Sequence, residues 1–98
     1  MSVKFNVHKF DIPIIQRIAH RAVKMADEGG WQYKEKDAQM DITACHCSGN
    51  PLLLKELLEA DDFDFAHDVF GIHKNLDRNT GKLLNFFSPR YSKKMGVK

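Results

Sequence analysis

The sequence has little of what marks the specialised protein classes. Of its 98 residues only two are cysteine, three proline and six glycine, which excludes collagen-like, low-complexity and disulfide-framework chains. Cys45 and Cys47 stand two apart with no C-x-x-C spacing. On a helix such a pair projects to opposite sides, a poor geometry for an internal disulfide. Two thiols without a framework fit a reducing, cytoplasmic setting. The longest aliphatic run, Leu52-Leu53-Leu54, is far below the ~20 residues of a membrane span, and the opening MSVKFNVHKFDI lacks the apolar stretch of a signal peptide. No membrane partner is therefore expected. The phosphate-loop and dinucleotide glycine motifs are missing, as is the HxE and PCxxC pair of zinc deaminases. Thr80-Gly81-Lys82 matches only a fragment of a phosphate loop and reads better as a turn.

What is present suits one small core. Hydrophobic residues make up 43% and charged residues 29%, with seven Phe, two Tyr and one Trp. A chain of this length forms one domain. We expect a globular body over residues 1–88 and a flexible basic tail over 89–98, where Arg90, Lys93, Lys94 and Lys98 meet no acid. The net charge of +2 hides a strong segregation. Residues 1–36 carry seven Lys/Arg against four acids, residues 37–68 one against eight, and residues 69–98 seven against one.

Periodicity predicts a mainly α domain of three to four helices, with an α+β variant left open. Asp11 and Pro13 suit a helix start. Ile15, Ile18, Ala19, Ala22, Val23 and Ala26 then repeat at helical spacing, with Arg17, Arg21 and Lys24 outward, until Gly29-Gly30. Trp31 and Tyr33 should anchor the following linker. Asp37 is expected to cap a second helix running to about Ser48. Asn50-Pro51 should restart the chain into a third helix with Leu53, Leu54, Leu57 and Leu58 inward. Phe63, Ala66, Val69, Phe70 and His73 predict a fourth over 62–74, with Gly71 weakening its end. A turn over 76–83 and a strap or short hairpin carrying Leu83, Leu84, Phe86 and Phe87 should close the core. Pairing of residues 3–8 with 82–87 is a further option.

Several clusters bear chemistry. Cys45-His46-Cys47, with His67 and His73, holds soft metal ligands, but three adjacent helical residues diverge by about 100° each, so no metal or other cofactor is expected. His46, His67 and Asp68 are the candidate catalytic residues for a small hydrolase or nuclease. Against this, neighbours on a helix do not face each other, and Asp64, three residues before His67, is its expected partner. Arg17, Arg21, Lys24, Arg90, Lys93 and Lys94 form a candidate nucleic-acid surface. Glu56, Glu59, Asp61, Asp62, Asp64 and Asp68 lie between Lys55 and Lys74 with no intervening Lys or Arg. The first five are the candidate protein-docking residues.

The strings MDITACHCSGNPL at 40–52, ADDFDFAHDVFGI at 60–72 and LDRNTGKL at 76–83 resemble a family of small uncharacterised proteins from tailed phages and enterobacterial prophages. The resemblance covers roughly residues 37–90. It implies a phage or prophage protein in the cytoplasm of a bacterial host, and brings no activity, cofactor or catalytic residue. The leading expectation is a non-enzymatic interaction module on a host or phage protein, with a homodimer as an option. Nucleic-acid binding comes second, and the His/Asp metal-dependent hydrolase third.

Overall fold

A computed structural model describes residues 7–48, 52–84 and 87. It contains helices α1 (Ile12–Glu28), α2 (Glu35–Cys47), α3 (Leu53–Glu59) and α4 (Asp62–Asn75), then an antiparallel pair of two-residue strands, β1 (Leu76–Asp77) and β2 (Lys82–Leu83). The domain is mainly α, as its periodicities predict. The basic tail, Asn50, Pro51 and Phe86 lie outside the described residues, as does the 3–6 part of the proposed N-terminal strand. The strand at 82–83 pairs with 76–77 across its own turn, and residues 7 and 8 form no strand.

α1 behaves as its spacing dictates. Ile15, Ile18, Ala19, Ala22 and Ala26 are buried, and the small alanines let the other helices approach closely. It packs most extensively against α2. Its start differs from expectation. Asp11 makes no side-chain cap bond and instead meets His46 Nε2 on α2 at 3.2 Å. α2 begins two residues before Asp37, at Glu35, after an extended Lys34. Asp37 and Glu35 sit in the first turn, where the helix dipole favours anions.

α4 buries a different stripe from the one expected. Phe65, Asp68, Val69, Ile72 and Asn75 face inward, while Phe63 is 80% exposed. The expected stripe was offset because a carboxylate, Asp68, occupies a core position. The helix also continues through Gly71 to Asn75. A Cβ on Gly71 would lie 2.1 Å from Cε1 of Phe87, so the missing side chain makes room for that ring against α4. Phe87 and Leu83 pack on the core, as the strap reading expects, but Leu84 is exposed.

Candidate functional site

Two constellations stand out, and both grow from the ends of helices. The first begins where α1 stops. Gly30 adopts φ +88°, Gly30 N–H donates to the Asp27 carbonyl and Trp31 N–H to that of Ala26. This paired bonding is a Schellman motif, and it fixes the backbone that presents Trp31 and Tyr33. Tyr33 turns inward and donates from its hydroxyl to Oδ2 of Asp41 at 2.5 Å.

Asp41, on α2, is only 1% exposed, yet its carboxylate is well supplied with donors. Arg78 Nε, from the β1–β2 turn, donates to Oδ1 at 2.5 Å. His73 Nδ1, from α4, lies 2.7 Å from Oδ2. A carboxylate only accepts, so the His73 proton sits on Nδ1. Arg78 Nη2 approaches that same nitrogen at 3.4 Å, but both are then donors and no bond forms there. One buried charge thus ties together the α1–α2 linker, α2, α4 and the hairpin. The Arg78 guanidinium is held firmly protonated by its bond to Asp41. The Tyr33 hydroxyl is pushed far above its ordinary pKa by burial, then by its bond to Asp41 and the charge there. Above this network Trp31 stacks near Tyr33 and His73, with Phe70 against its edge. The Asp41 network thus braces an aromatic surface made by Trp31, Tyr33, Phe70 and His73.

The second constellation is the α3–α4 elbow. Arg21 reaches from α1, donating to the carbonyls of Leu57 at 3.3 Å and Ala60 at 3.1 Å and to Asp62 Oδ1 at 2.9 Å. Its guanidinium lies 4.1 Å from the Phe65 ring centroid. It caps the carbonyl end of α3, where a cation is favoured. Asp61 Oδ1 then accepts the Asp64 N–H at 2.8 Å and starts α4. The elbow so fixed exposes Phe63, Glu59, Asp61 and Asp62, with Asp64 half-buried.

The expected site residues fall into separate places. Glu56 is buried and leaves the acidic surface, because it faces inward with Leu53 and Leu57 on α3. Arg17 and Lys24 are exposed, whereas Arg21 turns into the elbow, where it caps the α3 carbonyls and pairs with Asp62. Arg90, Lys93 and Lys94 lie outside the described residues. His46 pairs with Asp11. His67 pairs through Nδ1 with Asp68 Oδ1 at 3.0 Å, so the adjacent carboxylate takes the place expected for Asp64. The two candidate histidines thus serve different pairs on different helices. Among the described residues no group of three or more His, Cys, Asp or Glu could hold a metal ion. Cys45 is buried, and the Cys47 thiol is pushed up by burial and then by the Asp11 charge, which opposes the thiolate a nucleophile needs.

A family model matches residues 11–93, the span that contains all four helices, the buried Asp41 network and the elbow. The chain belongs to DUF6874, a family of unknown function. No curated protein and no solved structure matches it. Among the described residues, no helix of this family member is long and apolar enough to cross a membrane. Sequence reasoning missed its Asp41 network entirely. Tyr33 was visible as a linker anchor and Arg78 as a turn residue, but nothing in their spacing joins them to a carboxylate on α2. Sequence reasoning also assigned Phe63 to the core.

Proposed function

We propose that this DUF6874 member is a non-enzymatic interaction module of phage or prophage origin, and that its α3–α4 elbow docks a host or phage protein. The observation that carries the reading is Phe63. A large aromatic side chain stands 80% exposed beside Glu59, Asp61 and Asp62, on an elbow braced by Arg21. Aromatic side chains are enriched at protein interfaces, and a polar rim around an apolar anchor is their usual anatomy. The carboxylates select a partner with an apolar pocket rimmed by Lys and Arg, and speed its encounter. Self-association through this face would oppose like charges across a two-fold axis, so the occupant is a different protein.

The test is capture of partners by the tagged protein from nuclease-treated bacterial lysate, with and without phage infection, quantified by mass spectrometry. Glu59→Lys and Phe63→Ala are the informative variants, because Asp61 caps α4 and Asp62 binds Arg21. The reading expects one dominant protein, depleted about tenfold by either change, as befits an interfacial anchor. Equal capture by folded variants removes the elbow from consideration.

A further inference from the structure

Trp31 is the only tryptophan of the chain, and three rings pack against it at the surface. Its ring lies 5.4 Å from Tyr33 at 21° and 6.0 Å from His73 at 28°. Tyr33 and His73 are themselves 4.4 Å apart, so both back the same side of the indole. Both are bonded to Asp41, and Phe70 meets the indole edge-on at 5.1 Å. Despite this bracing, Trp31 remains 38% exposed. It lines two grooves. One, of about 640 Å³, is bordered by Lys24 and Lys34. The other, of about 400 Å³, is formed with Phe70, His73 and Lys74. All three lysines are exposed, and none forms a salt bridge among the described residues. Asp27 and Glu35 also line the first groove and partly offset its lysines, with Glu35 held by Gln39 at 3.4 Å and His20 at 3.5 Å, whereas the second groove has Lys74 and no carboxylate in its lining.

We propose that Trp31 is a stacking platform for a base of single-stranded nucleic acid, with the flanking phosphates meeting Lys24 and Lys34 on one side and Lys74 on the other. Every base has a π-face, so such a platform is indifferent to sequence. The pre-set indole loses little side-chain freedom on binding. A strand fits better than a free nucleotide, because cations border the indole in both grooves whereas a mononucleotide carries phosphate on one side only. The platform does not depend on the elbow. Phe63 and Lys74 are eleven residues apart on α4, about 16 Å along its axis.

The single tryptophan makes its fluorescence a report on this site alone. Titration with a roughly 12-nucleotide oligothymidylate should quench it saturably. The log of affinity should fall against the log of salt with a slope of about −1.4 to −2.1, the release expected for two or three phosphate contacts on a single strand. Trp31→Ala, read by anisotropy of a labelled oligonucleotide, should bind about 5- to 150-fold more weakly. The surface pair Lys34→Glu and Lys74→Glu should flatten the salt slope while the thermal melt stays unchanged. Absence of quenching, undiminished binding by both sets of variants, or equal affinity for thymidine monophosphate would each overturn the proposal.

Discussion

Tyr33→Phe deletes one oxygen from the middle of the Asp41 network and is the sharpest probe of it. The hydroxyl is buried, donates to Asp41 at 2.5 Å, and leaves no charge behind when removed. A hydrogen bond to a charged group contributes about 1.5–3 kcal/mol. A domain of this length has a total stability of about 5–15 kcal/mol, so the change is large. At about 4–8 °C per kcal/mol, the melting temperature should fall by about 6–24 °C. Urea melts followed by Trp31 fluorescence and by far-ultraviolet dichroism should move together to lower midpoint with an unchanged slope. Asp41→Asn keeps the shape but strands Arg78 and His73 without their anion, a loss of about 3–5 kcal/mol for a well-buried pair and less here because Arg78 is partly solvated. The two changes share one bond, so the double variant should be more stable than additivity predicts by at least about 1 kcal/mol. A Tyr33→Phe effect below about 0.5 kcal/mol, or strict additivity, would refute the account of Asp41 as the strut joining α2, α4 and the hairpin.

Three further outcomes follow from the same geometry. The difference between absorbance titrations of the folded protein and of Tyr33→Phe should show no phenolate signal near the ordinary tyrosine value, because the Tyr33 hydroxyl is held protonated far above it. A raised phenol pKa means the folded state holds its proton longer, so this contribution to stability is complete below the ordinary tyrosine value of 10.0 and declines as pH rises above it. Gly81→Ala should destabilise by more than about 1 kcal/mol in thermal melts, because Gly81 has φ +74° and an added Cβ would lie 1.8 Å from Ser48 Oγ and 2.7 Å from the Ala44 carbonyl. An unchanged melt would contradict the seating of the hairpin turn on the end of α2. Cys45 and Cys47 should react with an aromatic disulfide at pH 8 much more slowly in the folded than in the unfolded protein, since one is buried and the other has a raised pKa; comparable rates would count against that burial.

The parts of the fold that were legible in the sequence are those where apolar residues alone set the pattern. The alanine and isoleucine stripe of α1 buries as its spacing dictates, and on α3 Leu53, Leu54 and Leu57 turn inward while Leu58, expected with them, is 41% exposed and Glu56 is buried in the helix instead. The failures lie where polar residues occupy core positions. Asp41 and Asp68 are fully buried, and a hydrophobicity pattern treats each as a gap, which displaced the α4 stripe onto Phe63. Asp11 and Asp37 have the right chemistry for caps, but Asp11 is drawn to His46 and α2 starts ahead of Asp37. Arg21 resembled one more solvated cation, because the carbonyls it caps lie thirty-six and more residues away. The acidic character of 59–64 was legible from the start. Its apolar anchor emerged only when the structure left Phe63 in solvent.

The elbow can be interrogated directly by placing a photo-crosslinking phenylalanine analogue at position 63, where an aromatic side chain already stands exposed. The same analogue at Gln16, exposed on α1, serves as the control. Irradiation of bacterial cells producing each version, with and without phage infection, followed by mass spectrometry, reads what touches each position. The account predicts a discrete crosslink from position 63 to one protein bearing a basic surface, absent from position 16 and lost when Glu59 is changed to Lys. No crosslink from position 63 in either condition, or the same diffuse products from both positions, would contradict it.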